Sequence, residues 1–177
     1  MLGADPLNSL SDTSDHAVMC LNLYPGARDV VLRSHPWNCA IKRVVLAPNA
    51  TAPLFDYAYS FNLPADWLRT LSVGDSSYAT DYVSEGRQLL SDESSLPLRY
   101  VFRNEDENTW HAGLVEAVTM AMAERLAYPI TSSASMQQTM MQKLQEVLRR
   151  ARAEDGQEDP PETLGDFPLL ASRLSRR

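Results

Sequence analysis

Side chains able to do chemistry are few in this sequence, and they are scattered. It holds three histidines, His16, His35 and His111, and two cysteines, Cys20 and Cys39. His35 and Cys39 stand four residues apart and could form a thiol–imidazole pair, in which the base generates the nucleophilic thiolate. Their flanks carry no local nucleophile signature, and a cysteine beside Trp37 suits a packed core better. His16 and His111 have no second histidine three or four residues away, the spacing that sets two imidazoles on one helix face, so no metal site is expected. Asp92-Glu93 and Glu105-Asp106-Glu107 could supply the two carboxylates of a glycoside hydrolase. Clusters of this kind, in a turn or ahead of a helix, more commonly serve solvation and the helix dipole. The 7 glycines show no phosphate-cradling spacing, so a nucleotide has no anchor. The residues point to no catalytic group, no cofactor and no metal, and away from an enzyme.

The elements that would position these groups follow from hydrophobic periodicity. Ser11-Asp12-Thr13 can cap a helix whose apolar face is Ala17, Cys20, Leu21, Tyr24, Ala27 and Val31. That face persists through Pro25-Gly26, which predicts one kinked helix over about 12–35. From 37 to 103 the pattern turns to strands. Phe55, Tyr57, Tyr59, Phe61 and Leu63 fall on every second position, as do Leu96, Leu98, Tyr100 and Phe102, each row suggesting an antiparallel strand with one wet side. Asn38–Leu46 and Tyr82–Leu90 alternate less cleanly. Helical spacing returns after Asn104. Asn108 or Thr109 can cap a helix over about 109–128, interrupted at Pro129, and Ser132 or Ser133 can cap another over about 133–152. The class expected is α+β: a helical bundle with an inserted antiparallel β-rich region, followed by a flexible C-terminal tail.

Charge and length bound the partners. The 177 residues carry 16 Lys+Arg against 23 Asp+Glu, a formal net charge of −7, the wrong sign for a surface that holds nucleic acid by its phosphates. No apolar run approaches the roughly 20 residues of a membrane helix, and the start lacks a signal-peptide layout. These features and the cysteine usage suggest synthesis in a reducing cytosol. From Glu154 the composition becomes acidic and proline-bearing, so residues 154–162 are expected to be solvated and mobile. Beyond them lie Phe167, Leu169, Leu170 and Leu174 with Arg173, Arg176 and Arg177, apolar and basic anchors of a kind that order on binding. Met120 and Met141 fall off the main apolar stripe of the last two helices and are candidates for a subunit interface.

Several stretches together resemble the tail tubular protein A family, the head-to-tail adaptors of short-tailed bacteriophages. They are Leu2-Gly3-Ala4-Asp5-Pro6-Leu7, then Ala27-Arg28-Asp29-Val30-Val31-Leu32-Arg33-Ser34-His35-Pro36-Trp37-Asn38, then Tyr57-Ala58-Tyr59 and Leu63-Pro64-Ala65-Asp66-Trp67-Leu68-Arg69. Glu85-Gly86-Arg87-Gln88-Leu89-Leu90-Ser91-Asp92 and Pro97-Leu98-Arg99-Tyr100-Val101 follow in order. The resemblance covers about Leu2 to Arg152. It implies an adaptor domain over 1–153, with the 154–177 segment as an extended tail. It further implies a ring of about twelve copies that docks on the phage portal protein, joins it to a tail nozzle or tail tube protein, and passes DNA only as cargo. The place would be the virion head–tail junction, with no cofactor and no membrane segment. Family members usually have a helix before the Leu-Gly turn. This chain starts near that turn: either the bundle lacks that helix or the true start lies upstream, and a missing helix would uncover part of the face built from Leu21, Tyr24, Val118 and Leu144.

On this reading Phe167, Leu169, Leu170, Arg173, Leu174, Arg176 and Arg177 are the portal-binding candidates. Two other readings stand beside it: a carboxylate-dependent glycan hydrolase associated with the tail, and a stand-alone interaction module.

Overall fold

The structure is a computed structural model that describes Gly3, Ser9 and residues 13–74 and 80–158. Among the described residues three α-helices, α1 (Asp15–Arg33), α2 (Ala112–Thr131) and α3 (Ala134–Gln157), bracket six strands. These are β1 (Ile41–Leu46), β2 (Tyr59–Asn62), β3 (Trp67–Val73), β4 (Val83–Glu85), β5 (Gln88–Ser91) and β6 (Leu96–Phe102). The fold is α+β. No helix among the described residues is long and apolar enough to cross a membrane.

Local signals fix the helix ends. The Ser14 hydroxyl accepts from the Ala17 N–H and starts α1, just after the 11–13 cluster. The helix runs on through Pro25, and it ends at Arg33 rather than at Pro36 because the Ser34 N–H and hydroxyl both bond to carbonyls of the last turn. His111, not Asn108 or Thr109, caps α2: its Nδ1 accepts from the Leu114 N–H, while 107–109 form a short 3-10 turn. Pro129 does not stop α2. The helix continues to Thr131, whose hydroxyl bonds to the Ala127 carbonyl, and closes on Ser132 in the left-handed conformation at φ 51°. Ser133 caps α3 as expected.

The strands form two antiparallel sheets, ordered β1-β6-β3 and β2-β5-β4. The first sheet is the middle layer. One face meets the helices in a core that includes Trp37, Leu68, Val101, Leu114, Val118 and Leu148. Its other face meets the second sheet through Leu46, Phe61, Leu89, Leu96, Leu98 and Tyr100. Strand β6 is therefore covered on both faces over only part of its length: Leu96, Leu98 and Tyr100 point into one core and Val101 is fully buried in the other, while Pro97 and Arg99 are only partly covered. Strand β3 escaped the alternation pattern because two irregularities in its register, at Trp67/Arg69 and Thr70/Ser72, break the period of two. The weak 82–90 pattern is the hairpin of β4 and β5, turning at Gly86 with φ 57°, a conformation glycine adopts without strain.

The aromatic row does not hold through its first half. Phe61 is buried and Tyr59 packs against the sheet core, but Phe55 is exposed and Tyr57 lies in the loop before β2. On the α1 face discussed above, Leu21 is exposed, Tyr24 and Leu144 are half-buried, and Val118 is buried against α2's own neighbours.

Helices α2 and α3 lie close together at Gly113. A Cβ there would lie 3.0 Å from Glu154 Oε2, 3.1 Å from Ala151 Cβ and 3.2 Å from His111 Cε1. Glu154 can swing aside, but Ala151 is fixed to its helix. Helix propensity alone favours alanine over glycine by about 1 kcal/mol. Gly113→Ala is expected to reverse that sign and lower stability by about 1 kcal/mol, through overpacking against Ala151, in urea unfolding.

Candidate functional site

Two constellations of polar residues stand out, one buried and one open. The buried one centres on Asp155, in the last turn of α3 and only 2 % exposed. Its Oδ1 accepts the Asn38 backbone N–H at 3.1 Å, and its backbone carbonyl accepts from Asn38 Nδ2 at 3.0 Å. Oδ2 sits 3.1 Å from His35 Nε2, and His111 Nε2 approaches Oδ1 at 3.5 Å without hydrogen-bond geometry. Trp37 lies between the two imidazoles, with ring centroids 4.7 Å from His35 and 5.4 Å from His111, and donates from Nε1 to the Val31 carbonyl. The expectation for 154–158 holds in part: Glu154, Gly156, Gln157 and Glu158 are exposed, but 154–157 are helical and Asp155 is buried. The helix runs five residues beyond 152 because the 34–40 turn supplies a donor set for a carboxylate that water would otherwise solvate.

This cluster clasps the end of α3 to the 34–40 turn. His35 is held below its ordinary value of 6.5 because its burial outweighs the Asp155 carboxylate, so at neutral pH it serves as a neutral N–H donor. Burial and then the Asp155 charge push the Cys39 thiol up, the opposite of what activates a nucleophile. No group of three or more His, Cys, Asp or Glu side chains suited to a metal ion occurs among the described residues.

The carboxylates considered for glycan hydrolysis attach to different parts of the fold. Glu105 pairs with the buried Arg28 at 2.9 Å and Glu107 accepts from the Tyr24 hydroxyl, both against α1. Arg28 and Arg103 also share Asp29, at 3.0 and 2.8 Å, so this seam ties α1 to the end of β6. Burial and the Glu107 contact push Tyr24 up to about 12. Asp92 instead accepts from the Ala58 N–H at 2.8 Å, beside the second sheet.

There the open constellation lies: a groove of about 850 Å³ between the 49–57 loop and the face of the second sheet that carries Ser60, Asn62, Gln88, Leu90, Val83 and Glu85. Asn49, Asn62 and Gln88 form an amide ladder along its floor, and Asp56, Asp81, Glu85 and Asp92 line it with negative charge. The groove is not legible in the sequence, since its residues come from separate segments and of its carboxylates only Asp92 stands out there as a candidate for chemistry.

Of the interface candidates, Met120 is corrected. It is 4 % exposed and packed in the helical core, so its place is explained within one chain, whereas Met141 is 48 % exposed. Phe167, Leu169, Leu170, Arg173, Leu174, Arg176 and Arg177 lie outside the described residues. Comparison with protein-family models and with curated proteins gives no match to this chain.

Asp155→Ala is expected to cost about 3 kcal/mol in urea unfolding, because it strands the Asn38 and His35 donors in the interior. The pH dependence has a definite sign. An unfolded chain binds the His35 proton more readily than the folded one, so stability falls as pH drops below 6.5, until the folded imidazole is protonated too. Comparing unfolding midpoints at about pH 7.5 and about pH 5.5, His35→Gln should show a smaller acid-side loss than the unaltered chain.

Proposed function

We propose that this chain is a structural virion protein, a head-to-tail adaptor whose copies form a ring on the portal and join it to the tail. The observation that carries the reading is the ordered set of short stretches from Leu2 to Arg152 resembling the tail tubular protein A family. The α+β architecture, with a β-rich insert between α1 and α2, agrees with what that resemblance implies. In this reading the three helices form the body that packs around the portal. The two sheets reach toward the tail nozzle or tube. Residues 159–177 insert between portal subunits, with Phe167, Leu169, Leu170 and Leu174 as apolar anchors and Arg173, Arg176 and Arg177 pairing with portal acids.

The Asp155 clasp fits this use. It fixes the last described turn of α3 to the 34–40 turn, so the anchoring segment departs from a rigid point. A rigid departure point reduces the conformational freedom lost on docking, and a weak contact repeated around a ring gains from each copy already bound. The excess of acids over bases suits a passage for DNA, because like charge disfavours adhesion.

The test mixes the full chain, or a version ending after Glu158, with the portal ring of the same genome. The shortened version keeps α3 and the clasp intact. Light scattering on co-eluting complexes should give about twelve copies per portal ring for the full chain, and weakened binding for the shortened one. Binding that survives shortening retains the adaptor and discards the tail anchor. A folded full chain that does not bind overturns the adaptor reading.

A further inference from the structure

The middle sheet outruns the helices that cover it. Residues 41, 43 and 45 of β1 share one face with 101, 99 and 97 of β6, as their register sets Ile41 opposite Val101, Arg43 opposite Arg99 and Val45 opposite Pro97. Val101 is fully buried beneath the helices, yet Val45, two steps further along, is 64 % exposed. Val45 and Pro97 line an apolar depression of about 310 Å³, flanked by Arg43 and Arg99. Two cations placed directly opposite across an antiparallel pair repel each other. Neither Arg43 nor Arg99 makes an ion pair or side-chain hydrogen bond among the described residues, and the Nε of Arg99 is buried without a partner.

A feature of opposite character lies elsewhere on the same chain. Leu54 and Phe55 project from the 47–58 loop, 97 % and 74 % exposed. This is no slack segment. The Tyr57 N–H bonds back to the Phe55 carbonyl at 2.9 Å across Asp56, whose φ of 69° is rare for a residue with a side chain. The Asn49 N–H is held by the Ser60 carbonyl and the Ala58 N–H by Asp92, both at 2.8 Å. The loop is thus pinned, under backbone strain, in a shape that holds two large apolar side chains out in water. Asp56, Asp81 and Glu85 line the groove beside them with negative charge. Knob and depression are complementary in both polarity and charge, and they occupy different places on one chain. A contact of that kind between identical copies is head-to-tail, the type that generates rings rather than closed pairs.

We propose that neighbouring copies meet by seating the Leu54-Phe55 tip of one chain on the Val45/Pro97 depression of the next, with Arg43 and Arg99 facing the acidic groove beside that tip. The proposal deepens the ring reading and rests on it. It gives the unpaired arginines their counter-charges and gives the strained turn its purpose.

The experiment places the photo-reactive residue p-benzoylphenylalanine at position Phe55 of the full chain, mixed with isotopically heavy chain carrying no probe. Irradiation is done on the chain alone at high concentration and on chains bound to the portal ring. The expected result is a ladder of joined chains in which position 55 of a light chain is linked to segment 43–45 or 97–99 of a heavy one. Arg43→Glu with Arg99→Glu in the heavy chain should reduce that product about tenfold. Asp81→Lys with Glu85→Lys in the light chain should restore it, with unaltered circular dichroism confirming that each variant folds. Links confined to one chain, to portal peptides or to another segment overturn the contact, as does a ladder indifferent to charge reversal. Portal binding at about twelve copies without the mapped link removes the contact and leaves the adaptor; the mapped link without portal binding does the reverse.

Discussion

Because β6 is the central strand of the middle sheet, it must serve two cores at once, and the other elements are arranged around that requirement. Its backbone pairs on both edges, with β1 and β3. Its side chains divide between the helical core and the inter-sheet core, so neither layer can be repacked without the other feeling it. The polar residues at its far end extend the same role. Arg103 reaches Asp29 of α1, and Tyr100 donates to Asp66, which Lys42 of β1 also contacts at 2.6 Å. Burial and that carboxylate push the Tyr100 phenol up to about 12, so it stays a donor throughout the neutral range.

The helices are tied to this framework by polar contacts at definite points rather than by apolar area alone. Arg28, Asp29 and Glu105 form one tie; Asp155 with Asn38 and His35 forms the other. Both join segments distant in sequence, and both are largely shielded from water on at least one partner. Such contacts do less for net stability than for uniqueness: a helix free to slide along an apolar surface would leave a buried charge unpaired.

Much of the architecture was legible from periodicity. The alternation at Leu96, Leu98 and Tyr100 marked β6, and the i, i+4 rows marked all three helices, because local pattern and tertiary burial agree there. What the pattern could not carry was the second burial of β6, since alternation shows which side chains share a face but not that the opposite face is covered at Val101. The alternation at Phe55 and Tyr57 continued past the point where a partner strand exists to receive it: β2 pairs with β5 only from Tyr59 onward. Asp155 was illegible for a different reason. A carboxylate in an acidic run reads as solvated unless its donors are known, and these lie 117 and 120 residues away in the chain. The depression at Val45 was hidden as well, for it depends on where the helices stop rather than on any property of β1.

The clasp also decides how the molecule answers a pull. Tension applied beyond Glu158 reaches α3 at Asp155 and passes sideways into Asn38 and His35, at the junction between α1 and β1, instead of peeling the helix from its free end. Hydrogen bonds at the backbone N–H and at the side-chain amide of Asn38 then share the load, and must yield together rather than one after another.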